Sequence, residues 1–154
     1  LNPSSAASDV YKRQMNNILV VHTSWYKEHI KSMIDISQGI LSTDFNIDLL
    51  CAPGVIELPA LAKHKILKRE GSDQEQYLGV LFLGIVVRGE TTHYELVTTE
   101  SFRAIGNLAL EYPHLAFINN IICVENKDQL IKRMETNTSN NSLALTDLIN
   151  EKSS

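Results

Sequence analysis

The chain has 154 residues, with 14 Lys and Arg against 18 Asp and Glu, 44% apolar and 21% charged side chains, which fits one soluble globular domain. A net charge of −4 without a basic stripe argues against nucleic acid as the main partner, and the longest apolar stretches, 17–21 and 78–87, fall short of the roughly 20 residues that cross a bilayer. Cys51 and Cys123 stand far apart with no Cys/His spacing, so neither a disulfide scaffold nor a metal site is indicated, and both read as small buried hydrophobes in a reducing cytoplasm.

Residues 1–14, LNPSSAASDVYKRQ, are polar and aperiodic; they read as a non-native, disordered leader to a single domain over 15–154. Ile18-Leu19-Val20-Val21 reads as a buried strand, followed by an amphipathic helix carrying Ile30, Met33, Ile34, Ile40 and Leu41, with Ser24 as its cap. Ile47 to Cys51 makes a second strand. Pro53-Gly54 then turns the chain into a helix from about Val55, with Leu58, Leu61, Ala62 and Ile66 on one side and Pro59 near its start. The run Leu78 to Val87 barely alternates, as in a central parallel strand covered on both faces.

After the polar segment 88–93 a third helix runs to about Tyr112, where Pro113 stops it; Leu115 to Cys123 gives a fourth strand, and Gln129 to Met134 begins another helix. The polar stretch Glu135 to Ser142, ETNTSNNS, predicts a loop before a last short helix over Leu143 to Asn150. This alternation of strands and helices predicts an α/β fold, a three-layer α/β/α sandwich on a four-stranded parallel sheet.

In such sheets ligands bind outside the carboxyl ends of the strands, which singles out the loops at 23–25, 53–55 and 88–93. In the third loop two readings stand. Backbone N–H groups at Gly89 to Thr92 could cradle a phosphate at a helix start, or Thr91 or Thr92 simply caps that helix while Arg88 pairs with a carboxylate. His93 at the sheet mouth suits proton transfer near neutral pH, whereas His29, His64 and His114 read as surface or satisfied residues. Trp25, the only tryptophan, either covers a planar heterocycle or packs on a helix end. Glu57 is either a dipole-favoured carboxylate in a first helical turn or an acceptor for a polyol.

Taken together, PGVIELP at 53–59 and GIVVRGETTHYELV at 84–97 resemble the lumazine synthase family, with the resemblance extending from Met15 to about Met134. It implies a flavodoxin-like fold and condensation of 5-amino-6-(ribitylamino)uracil with 3,4-dihydroxy-2-butanone 4-phosphate in riboflavin biosynthesis, with no cofactor and no metal. It further implies that Trp25 stacks on the pyrimidine, Val55, Ile56 and Glu57 line the ribityl chain, and Ile85, Val86 and Val87 run along the ring edge. Gly89, Glu90, Thr91 and Thr92 hold the phosphate, His93 shuttles protons, and Arg133 reaches the phosphate from a neighbouring subunit. The site then exists only in a homo-oligomer, a pentamer or a multiple of pentamers, in the cytoplasm.

The chain departs from the family pattern in two places. Asn119 stands where many members place a phenylalanine that covers the ring from the neighbouring subunit, and Asn120-Ile121-Ile122-Cys123 follows where a Gly-to-Thr stretch is usual. Ser139 to Ala144 replaces an Asn-Lys-Gly segment, with Asn141 in place of the lysine. These departures define a second reading, a non-catalytic lumazine- or flavin-binding shell protein of the same fold. A third is a generic phosphate-binding module.

Overall fold

Branched apolar side chains that alternate between two faces need cover on both, and in this chain that need is met by a sheet between two helical layers. A computed structural model describes residues 6, 7 and 15–154, so apart from Ala6 and Ala7 the leader lies outside the described residues. Four parallel strands pair there in the order β2-β1-β3-β4: β1 (Asn16–Thr23), β2 (Phe45–Ala52), β3 (Gly79–Val87) and β4 (Ala116–Val124). The helices are α1 (Lys27–Leu41), α2 (Leu58–Glu70), α3 (His93–Glu111) and α4 (Lys127–Ser153), with a single 3₁₀ turn at Val55–Glu57 before α2. This is the flavodoxin-like three-layer arrangement that the alternation of patterns predicts.

Leu19, Val21, Val80 and Phe82 pack with Leu58 and Ile66 of α2 and Ile105 and Leu108 of α3 on one face. The intervening residues Ile18, Val20, Leu81 and Leu83 pack with Met33 and Leu41 of α1 and Leu130 and Leu145 of α4 on the other. β3 is buried from Gly79 through Val86, as its lack of alternation requires. Beneath the sheet, Arg69 bonds Asp48 at 3.0 Å, Tyr77 at 3.1 Å and the Glu75 carbonyl at 2.7 Å, which closes the turn from α2 into β3. Among the described residues no helix is long and apolar enough to cross a membrane.

Three expectations are corrected. The stretch 135–142 is not a loop but the middle of α4, which runs unbroken for 27 residues. Leu130, Met134, Thr138, Ser142, Leu145 and Ile149 recur at helical spacing on its buried side, and the polar members find partners there. Asn120 of β4 donates to Thr138 Oγ1 at 2.9 Å, Asn141 donates to Asn120 Oδ1 at 2.7 Å, and Ser142 bonds Ser37 of α1 at 3.0 Å. Weak intrinsic propensity is thus overridden by paired polar burial.

Ser24 does not cap α1; the helix is entered at Tyr26, in a left-handed conformation (φ 58°, ψ 54°), without a side-chain cap. Cys51 is exposed rather than buried, because α1 leaves the end of edge strand β2 uncovered there, as it does Leu49. Cys123 on β4 is half-buried, and burial pushes its thiol up to about 11.

Candidate active site

β1 and β3 are neighbours, yet the chain leaves β1 toward β2 and leaves β3 toward β4. Connections that part in opposite directions open a crevice at the carboxyl ends of such strands. A cleft of about 450 Å³ lies there. Trp25 and Tyr26 enter it from the end of β1, Pro53 to Glu57 from the end of β2, Ile85 to Val87 from β3, and His93 and Val97 from α3. It sits over the seam between the two cores, since Val55, Val86 and Val97 belong to one and Ile85 to the other.

Two glycines set the wall at 54–57. A side chain on Gly84 would meet Val55 Cγ2 at 3.0 Å, so its absence lets the 3₁₀ turn rest directly on β3. A side chain on Gly54 would meet Glu57 Oε2 at 2.9 Å; the carboxylate folds back over this glycine. The turn is closed by the Glu57 amide donating to the Gly54 carbonyl at 3.3 Å. Trp25 lines the cleft and is 67% exposed.

The loop at 88–92 leaves the end of β3 exposed beyond the cleft. Arg88 pairs with both Glu95 of α3 and Glu125 beyond β4, lies 4.2 Å over the Tyr94 ring, and donates its amide to the Val124 carbonyl at 2.9 Å. These carboxylates hold the guanidinium firmly protonated, and Arg88 in turn holds the Glu95 carboxyl below the usual carboxylate range. The pairing reading of Arg88 therefore holds, and the guanidinium acts as a clamp. At the start of α3, Thr91 Oγ1 accepts from the His93 amide at 3.3 Å, while Thr92 makes no side-chain cap. Gly89, Glu90 and both threonines face solvent with open space around Gly89.

The structure thus brings Trp25, Val55, Ile56, Glu57, Ile85, Val86, Val87 and His93 into one cleft, with Gly89 to Thr92 in the loop leading to His93. Asn119 and Arg133 are not among its lining residues. Asn119 sits opposite Phe82 in mid-strand, its Oδ1 accepting from the Ile121 amide at 2.9 Å, and Arg133 is exposed on α4. Among the described residues no lysine or arginine lines the cleft, and the polar side chains along it are those of Trp25, Tyr26, Glu57 and His93. Sequence reasoning missed Tyr26 and Val97. Val97 sits one turn after His93, on the helix face that α3 buries; nothing in the local pattern marks Tyr26.

Residues 15–149 match the family described as 6,7-dimethyl-8-ribityllumazine synthase. The chain is 34% identical over 116 residues to 6,7-dimethyl-8-ribityllumazine synthase 1 of Rhizobium meliloti (strain 1021), covering 73% of each chain. It is 40% identical over 89 residues to the 6,7-dimethyl-8-ribityllumazine synthase of Paramagnetospirillum magneticum, covering 57% of this chain and 59% of that one. With the protein of the same name from Zymomonas mobilis subsp. mobilis it shares 31% over 128 residues, 82% of this chain and 86% of the relative.

Proposed function

The chain belongs to the 6,7-dimethyl-8-ribityllumazine synthase family, and from that premise we propose that it is a working 6,7-dimethyl-8-ribityllumazine synthase, a transferase of riboflavin biosynthesis. It condenses 5-amino-6-(ribitylamino)uracil with 3,4-dihydroxy-2-butanone 4-phosphate. The observation that carries the reading is the convergence of Trp25, the 55–57 turn, the 85–87 strand end and His93 on one cleft.

Each wall suits one part of the substrates. The exposed Trp25 ring covers the pyrimidine, and the amides and carbonyls of Ile85 to Val87 run along its edge. The folded-back Glu57 carboxylate accepts hydroxyl bonds from the ribityl chain beside Val55 and Ile56. Exposed N–H groups from Gly89 to Thr92, at the positive end of the α3 dipole, take the phosphate, with Glu90 carried in the same loop. The amine of the pyrimidine attacks the ketone and loses water to form an imine; phosphate leaves, and the second nitrogen closes the ring with loss of another water. Each step moves a proton, and His93 is the group that takes and returns it. Most of the acceleration comes from holding the two substrates together.

A dianionic phosphate needs a counter-charge, and Arg88 is already engaged by two carboxylates. Arg133 of a neighbouring copy supplies it in this reading, which makes the working unit a homo-oligomer, a pentamer or a multiple of pentamers. The same packing would carry Asn119 to the neighbour's ring. Leu96 and Leu110 on α3 and Ile131 on α4, each more than 60% exposed, give the copies apolar surface to bury. A cytoplasmic setting agrees with the two free thiols.

The test is to incubate the purified chain with both substrates, follow the lumazine by fluorescence and subtract the spontaneous reaction. Product well above background is expected. Background-level product with lumazine still bound would instead mean a binding shell.

A further inference from the structure

Tyr26 adopts φ 58° and ψ 54°, and among the described residues it is the single non-glycine residue with positive φ. Glycine, asparagine and aspartate enter this region readily; an aromatic residue does not. Capping does not explain the choice, because no side chain caps α1 at this position, and the Tyr26 carbonyl merely accepts the first helical bond from the Ile30 amide at 3.0 Å. What the turn achieves is visible at the cleft. In extended backbone two successive side chains point to opposite sides. Here Trp25 and Tyr26 both border the same space, while the Tyr26 ring also rests against the core under α1 and α4.

We propose that Tyr26 is a binding residue for the planar ring of the substrate, and that the chain holds the left-handed turn at 26 so that two adjacent aromatic rings face the cleft. This rests on the synthase reading for the identity of the ring. No side-chain hydrogen bond of Tyr26 requires this backbone, and strained residues of this kind cluster at ligand-binding walls, where the strain serves the ligand. The two rings supply stacking area with few rotatable bonds, and the Tyr26 hydroxyl, which makes no hydrogen bond among the described residues, is left for a polar edge of the heterocycle.

The experiment compares Tyr26→Phe, Tyr26→Ala and Tyr26→Gly in the full chain, titrating 6,7-dimethyl-8-ribityllumazine by its fluorescence and recording thermal melts. Both the alanine and glycine variants lose the ring, and both are expected to bind about 3- to 10-fold more weakly. Tyr26→Phe keeps most of the affinity. The glycine variant melts above the alanine variant, because it alone relieves the backbone. In steady-state assays KM for the pyrimidine rises and KM for the butanone phosphate stays put.

A purely structural role predicts that binding follows stability, with glycine recovering what alanine loses; a glycine variant that binds like the unsubstituted chain overturns the proposal. So does a glycine variant that melts no higher than alanine. If the unsubstituted chain binds lumazine without making it, the synthase reading has failed while the titration still tests Tyr26; if it binds no lumazine, both fail.

Discussion

The passage from β3 into α3 and the passage from β4 into α4 share one plan, a buried strand followed by a helix laid across a sheet face, but they dispose of their polar groups in opposite ways. α4 begins with its own partners: Asn126 accepts from the Gln129 amide at 3.0 Å, and Gln129 reaches back to accept from the Glu125 amide at 2.8 Å. α3 begins at Thr92 with no side-chain cap, behind an exposed loop. Farther on, Asn120, Thr138, Asn141, Ser142 and Ser37 satisfy one another between β4, α4 and α1. Hydroxyls and amides paired inside serve packing, while those left facing solvent at a strand end are available to a ligand.

Substitutions in the two regions should therefore act differently, on turnover in one and on stability in the other. The largest effect belongs to His93→Ala, for which kcat should fall about 100-fold with little change in melting temperature, since the side chain is exposed and proton transfer is the task proposed for it. An unchanged kcat in steady-state assays would remove His93 from the chemistry. Next comes Asn120→Ala, which strips Thr138 and Asn141 of a partner inside the protein; urea unfolding should report a loss of about 1–3 kcal/mol. Turnover per folded molecule should hold, and a selective loss of activity would contradict the division between the two regions.

Arg88→Gln is intermediate. Releasing Glu95 and Glu125 loosens the 88–92 loop, and if that loop holds the phosphate as proposed, KM for the phosphate-bearing substrate should rise roughly tenfold with a smaller change in kcat. The same pair carries a pH signature. Arg88 lowers the Glu95 carboxyl in the folded chain, so its stabilisation is present above the unfolded value of about 4.3 and fades as pH falls through the lower folded value. Stability measured across that acid range should lose this component in Arg88→Gln.

The smallest effect is chemical. At pH 8 iodoacetamide should label exposed Cys51 before Cys123, whose thiol burial has pushed up to about 11; equal rates, followed by mass spectrometry, would mean that β4 opens readily.

The strands and the first three helices were legible because their signals are local: unbroken apolar runs, periodic apolar residues, and Pro113 as a stop. Eight of the expected site residues converge on the cleft because they lie at strand ends or in the segments just after them, which a parallel sheet of this order gathers at one end. α4 was illegible for a physical reason. Thr136, Thr138, Ser139, Asn140 and Asn141 are weak helix formers alone, and what sustains them is a set of partners on β4 and α1 that no window of sequence contains. Two departures from the family pattern, Asn120 and Asn141, turn out to bond one another at 2.7 Å, so a change at either position is felt at the other. Tyr26 escaped because its backbone breaks the preference on which sequence reading relies.

The strand order has a consequence in time. Every pairing in the sheet joins residues that a whole helix separates along the chain, and β1 with β3 is the most distant. Such non-local closures make folding slow compared with helical bundles. The cleft draws on segments from 25 to 97, across β1, β2 and β3, so a nascent chain has no binding surface until β3 has docked and α3 has begun. Recovery of lumazine affinity during refolding would therefore time the insertion of the central strand.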